Sequence, residues 1–155
     1  MKNKWIALMA LILMGFGANA QVKLIKLSSL ENRLKAGGDT TFVINFWASW
    51  CKPCVKELPA FEQLKSATSS KKVKVLLVST DLKSKVESSV KQFVKIHNLT
   101  GEIYVLDETP GSFAQKIDAN WSGALPATLI VNTKKGRRDF QNKPFTYEEL
   151  LTATK

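Results

Sequence analysis

Thr41-Phe42-Val43-Ile44-Asn45-Phe46-Trp47-Ala48-Ser49-Trp50-Cys51-Lys52-Pro53-Cys54 is the stretch on which the reading of this chain turns. Thr41 to Trp47 is β-rich and mostly apolar, and Val55 to Leu64 is helix-like. The only two cysteines of the chain therefore stand at a strand-to-helix turn. A Cys-x-x-Cys closes too short a loop to restrain much unfolded-chain entropy, so the pair is a poor staple. What the spacing offers is one thiol at a helix start that can attack, and a second close enough to resolve the mixed disulfide.

A metal centre is the competing use of two cysteines. Structural zinc needs four ligands, and this chain adds only one histidine, His97, more than forty residues away. Soft-metal sites want thioether or imidazole ligands, yet Met1, Met9 and Met14 all fall near the N-terminus. The sequence thus predicts no metal, and no cofactor beyond a redox-active Cys51-Cys54 disulfide.

Residues 1–20 read as a cleavable signal peptide. Lys2 and Lys4 supply the charged start, Trp5 to Phe16 an apolar run, and Ala18-Asn19-Ala20 a small-x-small cleavage pattern before Gln21. The apolar run is shorter than the roughly twenty residues a membrane span needs. No cysteine stands at the cleavage point to carry a lipid. The expected location is the periplasm or another extracytoplasmic space, where disulfides persist.

Residues 21–155 suffice for a single domain with its own core. Loss of Lys2 and Lys4 takes the net charge from +10 to +8. A basic solvated surface is the plain explanation; attraction to acidic proteins or anionic lipid headgroups is the sharper one. Export argues against nucleic acid. The mature chain is expected to be monomeric, with no transmembrane segment.

The pattern of elements is a strand over Val22–Leu27, then a helix over Ser28–Lys35 capped by serine and ended by Gly37-Gly38. The strand Thr41–Trp47 leads to a helix from about Cys51 to Thr68, with Pro59 inside it predicting a kink. Val73–Ser79 is apolar enough for a central strand buried on both faces. One helix is expected over Lys83–His97, a strand over Ile103–Leu106 and a helical turn over Ser112–Asp118. Ala127–Asn132 and Arg137–Phe140 form a hairpin, and Thr146–Thr152 a last helix with Thr146 and Glu149 as a capping box. Such alternation describes an α/β domain: a mixed sheet with helices on both faces, parallel strands at its centre and an antiparallel hairpin at one side.

At this level of detail the chain resembles the thioredoxin superfamily, and within it the exported TlpA/ResA-like thiol–disulfide oxidoreductases. The resemblance is carried by Phe46 to Cys54, by Glu57-Leu58-Pro59, by Gly123-Ala124-Leu125-Pro126-Ala127-Thr128-Leu129-Ile130-Val131, and by Gly136. It covers essentially all of residues 22–155. It implies a thioredoxin-like fold with an inserted helix and strand, between Ser79 and Leu106, separating the βαβ and ββα halves. Cys51 becomes the nucleophile, its thiol pKa lowered by the helix N-terminus and by Lys52, and Cys54 the resolving thiol. Trp50, Lys52 and Pro53 support the site; Trp47 joins Trp50 in walling it, with packing as the equal explanation of both. Pro126 is implied to be cis and to face the dithiol. The Ala124-Leu125 backbone then turns outward to pair with a substrate peptide.

Asn45 departs from thioredoxin, which has a buried aspartate at that position. An amide cannot titrate, so Glu57, three residues after Cys54 on one helix face, is the candidate proton acceptor. A surface glutamate paired with Lys56 or Lys65 is its plain alternative. Trp121 is read as core rather than groove, and His97 as a partly packed imidazole at a helix end. The implied function is reduction of disulfides in exported proteins, apocytochrome c among them, with a membrane thiol electron donor as the second partner. An oxidant or isomerase of the same fold is one alternative. A redox-inactive binding module or chaperone is the other.

Overall fold

The computed structural model describes residues 21–155, so the signal peptide expected over residues 1–20 lies outside the described residues. Strands β1 (Val22–Ile25), β2 (Thr41–Trp47), β3 (Val73–Ser79), β4 (Glu102–Leu106), β5 (Ala127–Asn132) and β6 (Arg137–Gln141) form one sheet. Their order is β1-β4-β3-β2-β5-β6. The first four strands are mutually parallel; β5 pairs antiparallel with β2, and β6 antiparallel with β5. The expected mixed sheet is present, and the inserted strand β4 lies between β3 and β1.

Every residue of β2 is buried, because helices cover both faces of the sheet centre. Val43, Trp47, Val75, Leu77, Ile103, Val105 and Ile130 pack with α2 (Lys52–Ala67), α3 (Lys91–Ile96) and α5 (Tyr147–Ala153). Phe42, Ile44, Phe46, Leu76, Val78, Leu129 and Val131 pack with α1 (Leu27–Ala36) and α4 (Ala114–Ile117). The two-residue side-chain period of a strand feeds both layers from the same segments.

Two elements differ from expectation. Helix α1 starts at Leu27 after Lys26, with no serine cap. The Leu27 N–H instead donates to Glu108 Oε1 at 2.8 Å, so an orphan donor of the first turn is met from just beyond β4, the strand paired with β1. The single helix expected over Lys83–His97 is divided into a 3₁₀ turn (Lys83–Lys85), a π turn (Val86–Val90) and α3. β-branched Val86 and Val90 flank Ser88-Ser89, a run of weak helix formers that gives way where packing asks. Helix α2 runs unbroken from Lys52 to Ala67 past Pro59. The capping box of α5 is present in both directions, Thr146 Oγ1 accepting from the Glu149 N–H and Glu149 Oε2 from the Thr146 N–H.

Candidate functional site

β2 delivers the chain to the site at its C-terminal end. Cys51 N-caps α2, and its Sγ accepts from the Cys54 N–H at 3.4 Å. Lys52 and Pro53 occupy the first helical positions, where a missing proline N–H leaves no partner wanting. The two cysteines are disulfide-bonded, with Cα atoms 5.3 Å apart. Both are buried, Cys54 completely and Cys51 nearly so, whereas Trp50, Lys52 and Pro53 are exposed.

The turn before Cys51 is tied down by a residue the sequence did not single out. Asp81, buried just beyond β3, accepts from the Ser49 N–H (2.8 Å), the Ser49 hydroxyl (2.8 Å) and the Ser79 hydroxyl (2.7 Å). Thr80 N–H donates to Trp47 O at 2.8 Å alongside. The Ser-Thr-Asp run after an apolar strand is a turn signal, but nothing local points it at Ser49.

Glu57 lies inside the protein rather than on its surface, and pairs with neither Lys56 nor Lys65. Its Oε1 accepts from Asn45 Nδ2 at 2.7 Å and its Oε2 from the Phe145 N–H at 2.8 Å. Burial pushes the carboxyl pKa up to about 7, against the opposing pull of those two hydrogen bonds. Asn45 Nδ2 also reaches Thr128 Oγ1 at 3.4 Å, while Asn45 Oδ1 has no partner. Glu57 and Cys54 share one face of α2, both in the same core layer or at its edge.

Leu125–Pro126 is a cis peptide, as the resemblance implies. Ala127 pairs with Phe46, so Pro126 sits at the end of β2 next to the cysteine turn. Gly123, at φ +91°, supplies a left-handed conformation just ahead of it. Ala124 O does not turn outward: it accepts from Trp121 Nε1 (2.8 Å) and from Asn142 Nδ2 (2.9 Å), which also donates to Pro126 O (2.8 Å). Leu125, half-buried, is left with an uncommitted main-chain N–H and C=O.

Trp121 is core, packed at a tilt on Phe46 with centroids 5.0 Å apart, and doubles as a carbonyl clamp. Trp47 is a packed residue of the layer that also holds Cys51 and Cys54. It is wholly buried against Phe93, with its Nε1 unpartnered. His97 is exposed, resting on Phe93.

Residues 15–136 match the model of the AhpC/TSA family. The chain belongs to that family. It is 32% identical over 108 residues to sporulation thiol-disulfide oxidoreductase A of Bacillus subtilis (strain 168), a match covering 70% of this chain and 62% of that protein. A thiol-disulfide oxidoreductase ResA of Bacillus cereus is 32% identical over 90 residues, covering 57% of this chain and 47% of that protein. The chain thus spans between about half and two thirds of the length of these curated relatives. The crystal structure of StoA from Bacillus subtilis superposes with a TM-score of 0.58 at 28% identity, covering 76% of this chain and 84% of StoA. The fold is that of thioredoxin, and the likeness to ResA-type family members expected from Asn45, Glu57 and the inserted helix and strand between Ser79 and Leu106 is found.

Proposed function

We propose that this protein is an extracytoplasmic thiol–disulfide oxidoreductase that reduces disulfides in exported proteins. The observation carrying the proposal is the Cys51–Cys54 pair capping α2, bordered by the free main-chain edge of Leu125 and backed by the buried Glu57 carboxyl. A substrate segment pairs with the Leu125 N–H and C=O as a short added strand, which presents its disulfide to the cysteine turn.

In the reduced enzyme the unpaired N–H groups and dipole of α2 favour a thiolate at Cys51. Cys51 Sγ attacks one substrate sulfur, forming a mixed disulfide and releasing the other as a thiolate that takes up a proton. Glu57, ionised, accepts the proton of the Cys54 thiol, directly or through one water. Cys54 Sγ then attacks Cys51 Sγ, re-forming the Cys51–Cys54 disulfide and expelling the second substrate thiolate. Two electrons pass to substrate, and a dithiol donor at the membrane must return them. The names of the relatives support the reaction class; apocytochrome c is the client the resemblance implies. The leader read over residues 1–20 supports export.

Equilibrating the purified protein against a defined thiol–disulfide buffer tests the direction. A reduction potential near or below about −270 mV, thioredoxin's value, is expected for a reductant. A value near about −120 mV, where strong oxidants lie, makes it a disulfide donor instead. Full function in a Cys51→Ser/Cys54→Ser variant would make it a binding module whose dithiol is incidental.

A further inference from the structure

The segment between β6 and α5 touches both halves of the site, yet the exchange steps give it no part. Gln141, the last residue of β6, stands opposite Thr128 of β5. A continued ladder would next set Asn142 opposite Ala127, and beyond it Pro126 has no N–H to offer. Main-chain pairing ends there and a side chain takes over. Asn142 Nδ2 donates to Pro126 O at 2.8 Å and to Ala124 O at 2.9 Å. Two carbonyl acceptors settle which way the amide faces, since only its NH₂ can serve them. One side chain thus holds the main chain on both sides of Leu125, whose own N–H and C=O stay uncommitted.

Three residues on, the same run reaches the proton acceptor. Phe145 N–H donates to Glu57 Oε2 at 2.8 Å. The run has little slack. Pairing of Gln141 anchors one end and the Thr146–Glu149 capping box the other. Between them Pro144 fixes one backbone angle and keeps Lys143 out of the helical region. A shift of the Ala124–Pro126 segment is passed along this stiff run to the carboxyl.

The other groups around Glu57 carry no charge that would mask such a signal. Asn45 Nδ2 of β2 meets Oε1 at 2.7 Å, with Thr128 of β5 behind it. Tyr147 of α5 packs against the same layer. Lys143 turns away to Glu149 at 2.6 Å. On α2 the titratable neighbour is Cys54, a thiol in the reduced protein. The Phe145 bond favours the ionised carboxyl against the pull of burial.

We propose that Asn142 is a positioning residue for exchange at Cys51–Cys54: it shapes the Leu125 edge, and through Phe145 it ties that edge to the Glu57 carboxyl. This role rests on the reading of Leu125 as the substrate-pairing edge. A strand that pairs there steadies the segment and keeps the Phe145 N–H on Oε2. The carboxyl is then held in the form that accepts the Cys54 proton. The coupling is reciprocal: ionised Glu57 draws on the Phe145 N–H and firms the edge.

Single-turnover reduction by the purified, pre-reduced protein tests this. The probes are a synthetic peptide closed by one disulfide, which spans the Leu125 edge, and a small aromatic disulfide, which does not. Wild type should prefer the peptide. Asn142→Ala should slow the peptide about tenfold, within what two neutral hydrogen bonds contribute, and leave the small probe unchanged. Asn142→Gln keeps the NH₂ donor and should recover part of the loss. Asn142→Asp sets oxygens against the two carbonyls and should recover none. In Asn142→Ala the pH midpoint for release of the peptide by Cys54 should rise, because Glu57 loses its hold on a bond that favours its charged form.

Equal slowing of both probes would mark a general loosening of the site and overturn the role. So would a peptide preference that survives intact in Asn142→Ala. A release midpoint that stays in place would cut the tie to Glu57 and overturn it as well. A wild type with no preference for the peptide would sink the Leu125 edge itself, a failure visible before any substitution is made.

Discussion

β2 sends alternate side chains into two different interiors. Phe42, Ile44 and Phe46 enter a layer of aliphatic and aromatic groups beneath α1 and α4, where Trp121 lies between Phe46, Phe113 and Phe140. Val43, Asn45 and Trp47 enter the layer beneath α2, α3 and α5. The buried polar strand residues Thr41, Asn45, Ser79, Thr128 and Asn132 all point to that second side. So do the Glu57 carboxyl and two buried polar atoms without partners, Asn45 Oδ1 and Trp47 Nε1. The contrast separates two tasks within one sheet. An apolar layer supplies stability that does not depend on pH, and a polar layer buries the Glu57 carboxyl on the Cys54 face of α2 at a cost in desolvation.

The largest break of this contrast is Phe46→Ala. Removing a wholly buried phenyl from the apolar layer should cost about 3–5 kcal/mol in denaturant unfolding. That cost should be the same at pH 5 and pH 8, and the reduced protein should keep its thiol titration. A strongly pH-dependent loss would mean that the two layers are coupled and the division is wrong.

Glu57→Gln probes the other layer. The wild-type carboxyl has its folded pKa raised from 4.5 to about 7, so the fold prefers it protonated. Its favourable contribution is complete below pH 4.5 and is lost as pH rises through about 7. Two and a half pH units correspond to about 3 kcal/mol, an order-of-magnitude ceiling. Glutamine, neutral throughout, also leaves one of the two donors, Asn45 Nδ2 or the Phe145 N–H, without its acceptor. This costs about 1 kcal/mol at every pH. Relative to wild type, the variant should therefore gain up to about 3 kcal/mol between pH 4 and pH 9. In the reduced variant the pH dependence of Cys54 reactivity should shift; unchanged stability profiles and thiol titration together would remove Glu57 from the proton path.

The sequence carries much of this and misses the rest for one physical reason. Strand-then-helix patterning around Cys51, the hairpin at Lys134-Lys135-Gly136 and the Thr146/Glu149 cap are all local, and local patterns are legible. Glu57 could be suspected from its three-residue offset to Cys54. Its burial could not be foreseen, because it depends on Asn45 from β2 and the Phe145 N–H, 88 residues away. The outward turn expected of Ala124 fails likewise, since Asn142 claims its carbonyl from 18 residues on. Nor does any helix periodicity reveal that Val86–Val90 winds as a π turn.

Asp81 is the last point on which the comparison can be sharpened, at the rim where the polar layer meets the cysteine turn. Its carboxylate accepts three hydrogen bonds, two of them from Ser49, two residues ahead of Cys51. An asparagine there retains one accepting oxygen but turns an NH₂ toward other donors. Hydrogen bonds to a charged acceptor are worth about 1.5–3 kcal/mol each, and a mismatched buried donor costs about 1–3 kcal/mol. Asp81→Asn should therefore lower stability by about 1–2 kcal/mol after the loop relaxes. If the charge also fixes the turn, reduced Cys51 should react several-fold more slowly with a small disulfide in stopped-flow measurements, while the Glu57-dependent pH profile keeps its midpoint. A loss below about 0.5 kcal/mol with wild-type thiol kinetics would show that the cap on α2 alone holds the nucleophile, and that the polar layer contributes a proton acceptor but no positioning.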